Sequence, residues 1–382
     1  MEKVLILASV GSMIDQFNIE NINLLKELGY EVHVAANFEN GNTSSKERMN
    51  EFKKELDEKK ILYHQIDFSR NILDLGSNIK AYKQIKNLLM KNNYKFIHCH
   101  SPIGGVCGRI ASKLTKTKVI YTAHGFHFFK GSSIFSWIAY YPIEKLLSYI
   151  TDVLITINRE DYNLAKNNMK AKSVYYIPGI GIDCNKHIEK IVNKQEKRKS
   201  IGIKMDDIMI LSVGELNKNK NHEIVIKALS KIGNSKIHYC IAGKGELSDD
   251  LNSLSKQLNI DKNIHILGFR KDVSELYKIS DVFCFPSYRE GLSVALMEAM
   301  ASSLPVVCSK IRGNVDLIEA NKGGYLCNTE DIDSYVFFLE KLSNNKNIRF
   351  EMGEYNKTFI KSFGIDIVKR EMLKIYKEVS ND

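Results

Sequence analysis

The sequence predicts an α/β protein built as two doubly wound parallel-sheet domains. Three observations carry that reading. The chain has 382 residues, two to three times the usual domain of about 100–200. Short apolar runs alternate with amphipathic helical stretches from end to end, the pattern of repeated βα units. The alternation breaks once, at Pro178-Gly-Ile-Gly-Ile-Asp183, and a charged stretch, Lys186–Lys199, follows. The expected units are residues 1–182, residues 183–364 and a C-terminal helix, 365–382, packing back on the first unit.

In the first half, Val4–Ala8, Glu31–Ala35, Phe96–Cys99, Val119–Thr122, Val153–Thr156 and Val174–Ile177 read as buried strands, short and rich in β-branched residues. Asn18–Leu28, Ile79–Met90 and Ile103–Leu114 show helical spacing of apolar positions. The second half gives strands at Ile208–Val213, Ile237–Ala242, Ile264–Leu267, Val282–Phe285 and Pro305–Cys308, and an amphipathic tail helix over Ile365–Val379. Ligands are expected at the carboxyl ends of the strands, in a cleft between the domains.

Composition narrows the class. Apolar residues make up 44% and charged residues 26%, as in ordinary globular proteins, which excludes disordered, collagenous and disulfide-stapled chains. No apolar run reaches the roughly 18 residues of a membrane span; Ile134–Tyr141 is the longest. Met1–Ala8 carries an acid and does not read as a cleaved signal peptide. Seven scattered cysteines without a C-x-x-C pair suggest a reduced, cytosolic protein. The net charge is +10, and between Arg70 and Lys145 twelve Lys or Arg face two acids, Asp74 and Glu144. That local excess suggests an anionic partner, such as a membrane surface, a phosphorylated lipid or nucleic acid.

The sharpest motif is Arg289-Glu290-Gly291-Leu292-Ser293-Val-Ala-Leu-Met-Glu298-Ala-Met-Ala. Glu290 falls in a loop after a strand. Glu298 falls on a helix of small and apolar neighbours, where a buried carboxylate needs a hydrogen-bonding partner, which ligand hydroxyls could supply. The loop-to-helix junction near Leu292–Val294 offers backbone amides suited to phosphate. This Glu-x7-Glu segment closely resembles retaining glycosyltransferases of family 4, of the GT-B fold with two Rossmann-like domains. The resemblance implies that Glu290 contacts the donor sugar and Glu298 the ribose.

Further segments extend the resemblance over nearly the full chain. Val213-Gly-Glu-Leu-Asn-Lys218-Asn-Lys220-Asn-His222 stands where the family has its diphosphate-binding loop; Lys220 matches the family lysine, while Glu215 replaces the usual Arg. Lys218 is expected to supply the missing charge. Ala242-Gly-Lys-Gly-Glu246 and Leu267-Gly-Phe-Arg270 match family turns, with Arg270 expected near the nucleobase. Ser9-Val-Gly11-Ser12-Met13 resembles the first glycine loop, facing acceptor and donor phosphates. Thr122-Ala-His124-Gly-Phe-His127 resembles the segment whose histidine, His124 here, lies beside the transferred sugar. His98 and His100 are taken to face opposite sides of their strand, so that they would share no metal; His100 is expected to line the cleft on the acceptor side. His98 and His127 read as core or surface residues.

Asp331-Ile-Asp333 reads as a helix cap, so no metal site is expected, and positive side chains and helix ends would stabilise a departing nucleotide diphosphate. Ile79-Lys-Ala-Tyr-Lys, His98-Cys-His-Ser-Pro-Ile-Gly-Gly-Val106 and Tyr176-Ile-Pro-Gly-Ile-Gly-Ile-Asp183 are similar to the capsule and exopolysaccharide branch of the family. That implies a UDP-sugar donor, a polyprenyl-diphosphate-linked saccharide acceptor, no cofactor, and a place at the cytoplasmic membrane face. Lys80, Lys83, Lys86 and Lys91, with the aromatics of Phe126–Phe129 and Phe135–Tyr141, are expected to rest on an anionic leaflet. Other readings are a nucleotide-sugar epimerase, a phosphorylase of similar architecture, or a basic nucleic-acid-binding protein. The last leaves Glu290, Glu298 and Lys220 without a role.

Overall fold

The computed structural model describes every residue except 70, 72, 73, 185–191 and 382. Arg70 and part of the charged stretch Lys186–Lys199 therefore lie outside the described residues. The chain divides into two compact units: Met1–Gly181 with Asp366–Asp382, and Ile182–Ile365.

In the first unit, among the described residues, β1 (Lys3–Val10), β2 (Glu31–Asn37), β3 (Leu62–Gln65), β4 (Tyr94–His100), β5 (Lys118–Ala123), β6 (Val153–Thr156) and β7 (Ser173–Tyr176) form a parallel sheet ordered β3-β2-β1-β4-β5-β6-β7. Such a sheet is covered on both faces, so its strands run apolar without alternation. Helices Ile19–Glu27, Lys46–Glu58 and Ile365–Asn381 pack on one face, the last through Val368, Met372, Ile375, Tyr376 and Val379. Helices Leu75–Asn92, Pro102–Thr115, Ile134–Ser148 and Arg159–Asn168 cover the other.

The second unit holds β8 (Ile208–Val213), β9 (Ile237–Ala242), β10 (Ile264–Gly268), β11 (Val282–Phe285), β12 (Val306–Ser309) and β13 (Gly324–Cys327), ordered β10-β9-β8-β11-β12-β13. In each sheet the strand order reverses beside its first strand, between β1 and β4 and between β8 and β11. Those reversals are the points where doubly wound sheets bind ligands. Both units are Rossmann-like, as the alternation predicts.

Two strands escape the sequence pattern, and both lie at a sheet edge. β3 is Leu-Tyr-His-Gln, with Leu62 and Gln65 exposed, and β13 starts at a glycine. An edge strand pairs on one side only and needs no continuous apolar run.

Candidate active site

Both strands at the second reversal end in loops that carry charge. After β8, Asn217 caps a short 3-10 turn, Lys218–Lys220, its side chain accepting from the Lys220 amide at 3.2 Å. After β11, Ser293 caps helix Val294–Ala301, its hydroxyl accepting from the Leu296 amide at 3.3 Å. The two loops are clasped together. The Tyr288 amide donates to the Asn219 carbonyl at 2.8 Å, and the Asn219 side chain donates to the Arg289 carbonyl at 3.0 Å. Lys220 Nζ lies 2.8 Å from Glu290 Oε1 and 4.7 Å from the Phe285 ring centroid. Gly291 and the buried Leu292 connect Glu290 to the helix cap.

Glu298 is half-buried on that helix, and the Tyr277 hydroxyl donates to its Oε2 at 3.1 Å. Burial, and then the neighbouring carboxylate, push the Tyr277 hydroxyl well above the ordinary tyrosine range, so it stays protonated and donating. The Tyr277 hydroxyl thus supplies one of the partners that a carboxylate on this apolar helix requires. The Gly-Lys-Gly turn after β9 braces the β8 loop: a Cβ on Gly243 would fall 1.7 Å from the Gly214 carbonyl oxygen. Lys218 is placed differently from Lys220. It is exposed and lines a separate cavity of about 480 Å³ with Asn217, His222, Asp250 and Tyr288. Glu215, exposed, accepts from the Asn217 side chain at 2.9 Å. Arg270 forks onto Asp272 at 2.7 and 2.5 Å.

In the first unit, Gly11 opens helix Gly11–Phe17, and a Cβ there would meet Phe38 at 2.7 Å. Ser12 is buried; its amide donates to Asn42 Oδ1 at 2.8 Å and its hydroxyl accepts from the Thr43 amide at 3.1 Å. It braces the loop after β2. The histidines require a correction. His98 and His100 lie on the same side of β4, with ring centroids 4.1 Å apart, because positions two apart on a strand share a face. His98 is bonded on both ring nitrogens, to the Tyr376 and Thr122 hydroxyls, each at 2.8 Å. His100 Nδ1 lies 3.0 Å from His124 Nε2, just after β5, and buried His100 Nε2 has no partner among the described residues. Among the described residues no cluster of three or more His, Cys, Asp or Glu could hold a metal ion. His127 lies against Tyr140, centroids 4.7 Å apart.

Burial holds all three histidines neutral: His98 is pushed down to about 3, His124 to about 4, and His100 well below its usual range. The unfolded chain keeps the ordinary value of about 6.5. Below that value it binds protons that the folded state does not, so stability falls as pH drops from about 6.5 toward 4. Melting temperature is expected to decline across that window, beginning above the range where carboxylates titrate, about 4. A His98→Gln variant should show a shallower decline; a level profile for the parent would contradict the burial argument.

Comparison with known proteins places this geometry. The family described as Glycosyl transferases group 1 matches residues 193–359, and Glycosyl transferase 4-like matches residues 3–158. EpsD of Bacillus subtilis (strain 168), assigned as a glycosyltransferase, is 32% identical over 98% of this chain and 96% of its own. The chain belongs to this glycosyltransferase family. A UDP-Gal:alpha-D-GlcNAc-diphosphoundecaprenol alpha-1,3-galactosyltransferase of Escherichia coli is 31% identical over 78% of each chain. Anabaena HepE, solved with UDP and glucose, superposes with a TM-score of 0.80 at 16% identity, covering 99% of this chain and 100% of its own. The glycosyltransferase thus has the GT-B fold.

Several residues around Glu290 in this glycosyltransferase escape sequence reasoning. Arg312, buried, donates through Nε to the Glu290 carbonyl at 3.2 Å. Ser309 donates to the Ser287 carbonyl at 2.6 Å. A Cβ on Gly313, whose φ is +78°, would fall 2.1 Å from the Gly291 carbonyl oxygen. The one signal was the Arg-Gly-Asn sequence just after β12. The assembled site has a cation, two carboxylates and a capped helix start, groups that can bind phosphate and hydroxyls together.

Proposed function

We propose that this glycosyltransferase moves a sugar from a UDP-sugar to a saccharide carried on polyprenyl diphosphate, retaining configuration, in bacterial surface-polysaccharide synthesis at the inner membrane face. The contact between Lys220 and Glu290, beside the capped helix that bears Glu298, carries the reading. The bond from the sugar's anomeric carbon to the diphosphate breaks, and a bond to an acceptor hydroxyl forms on the same face. UDP departs, and the acceptor's proton is released. Lys220 balances the charge that grows on the diphosphate, while the first amides of helix Val294–Ala301, which have no acceptor within the helix, add donors. Glu290 holds the sugar and Glu298 the ribose. Arg270 near the base, Gly11 near the phosphates, His124 near the sugar, and Ser12 and His100 on the acceptor side complete the assignment by resemblance. Lys218, exposed on the same turn, adds long-range charge. Transfer is proposed to be metal-independent. The undecaprenol-linked substrate named for the E. coli relative supports the acceptor class.

The deciding experiment offers a panel of UDP-sugars with bacterial lipid extract, with and without EDTA, and weighs the glycolipid product. No product from any donor would reject the function, and activity lost in EDTA and restored by Mn²⁺ or Mg²⁺ would reject metal independence. Glu298→Gln replaces one acceptor oxygen by a donor. Charged hydrogen bonds contribute about 1.5–3 kcal/mol, so UDP affinity is expected to fall roughly ten- to hundredfold. Unchanged UDP binding by calorimetry would remove Glu298 from the ribose site.

A further inference from the structure

We propose that helix Ile134–Ser148, with the lysine-lined cavity at its C-terminal end, is a docking surface for an anionic phospholipid bilayer. The inference rests on the lipid-linked reading above and names the surface that serves it. A helix on a protein surface normally turns its polar side outward; this one does the reverse. Ile134, Phe135, Ile138 and Leu146 are 66%, 78%, 67% and 72% exposed, and Ile143 and Tyr149 continue the same stripe. The other outward positions are Ala139 and Pro142. Isolated exposed apolar residues are commonplace, but a row of this length at helical spacing marks a contact site.

The helix's charged residues turn away from that row. Glu144 Oε2 lies 2.8 Å from a guanidinium nitrogen of buried Arg109. Lys145 Nζ reaches the Tyr141 hydroxyl at 3.4 Å. Trp137, Tyr140 and Tyr141 pack inward on the core that contains Phe126 and Phe128. This corrects the sequence reading: most of the aromatics are core, and the outward row is chiefly aliphatic. Lys80 is likewise engaged, 2.8 Å from Asp67.

The cations sit at the far end of the row. Tyr149 shares a cavity of about 260 Å³ with Lys113, Lys116, Lys118 and Lys172. Its acid, Asp152, is taken up by Lys172 at 2.6 Å and by the Val119 amide at 2.8 Å. Lys113 and Lys116 make no ion pair among the described residues. An uncharged apolar ridge ending in lysines matches acyl chains beneath phosphate headgroups. A second copy of the chain would have to meet those lysines with acids, and the acids nearby, Glu144 and Asp152, are already paired.

The test is co-sedimentation of the full chain, without sugar donor, on phosphatidylcholine vesicles with and without phosphatidylglycerol. The parent is expected on the anionic vesicles, released by salt. A Phe135→Ser, Ile138→Ser, Leu146→Ser variant, altered only at exposed positions, should bind about a hundredfold more weakly for the apolar area lost. A Lys113→Ser, Lys116→Ser variant should bind the anionic vesicles about thirtyfold more weakly. Equal binding of parent and triple variant would overturn the proposal. So would release of the parent by millimolar inorganic phosphate, which marks a soluble-anion site, or a parent dimer that the triple variant dissociates while neither binds vesicles. UDP affinity is read on the same preparations. A protein that binds UDP but no vesicle loses the docking surface alone; one that binds vesicles but transfers nothing loses the enzymatic reading alone.

Discussion

Replacing Lys220 by Met is expected to lower turnover by about 10²–10³-fold, the usual loss when one preorganised charge donor is removed. Met keeps the apolar stem that packs beside Gly214, so the fold should survive. What goes is the ammonium group 2.8 Å from Glu290 and, in the proposed reaction, the charge facing the leaving diphosphate. Because Lys220 and Glu290 are in contact, their effects should not add. The Lys220→Met, Glu290→Gln double variant is expected to lose less than the product of the two single losses. Steady-state transfer kinetics and UDP calorimetry on all four proteins check this. A Lys220→Met turnover within a few-fold of the parent would detach Lys220 from the chemistry.

Arg198→Met is expected to be the most damaging single change to stability. Arg198 is 1% exposed. Its guanidinium donates to the Ile279 carbonyl at 2.9 and 2.7 Å, to the Met205 carbonyl at 3.1 Å and to the Asp207 carbonyl at 2.9 Å, and it pairs with Asp281. It ties helix Lys194–Ser200 to the start of β8 and the end of helix Val273–Ile279. Removing one partner of a buried pair costs about 3–5 kcal/mol, because Asp281 and the carbonyls stay behind. For a unit of this size each kcal/mol lowers the melting temperature by about 2–4 °C, so a fall of roughly 10 °C is expected by scanning calorimetry. Arg198→Lys keeps the charge but not the planar fork and should lie between. A shift below about 2 °C for Arg198→Met would refute the bracing role.

The sequence by itself determined what depends on local pattern. The central strands follow from their apolar runs, the cap at Asp331 from residue type, and the loop place of Glu290 and helical place of Glu298 from the segment around them. The tertiary structure alone decided three things. Lys220 meets Glu290 across 70 positions and Tyr376 meets His98 across 278, because strand order, which local periodicity does not encode, brings them together. Arg198 falls in what the sequence shows only as a charged stretch, since burial of a charge depends on distant carbonyls that only folding delivers. Helix Ile134–Ser148 is apolar nearly all round, so its sequence could not say which side faces out. Packing settled that by turning Trp137, Tyr141 and Glu144 toward the core and leaving the aliphatic row outside.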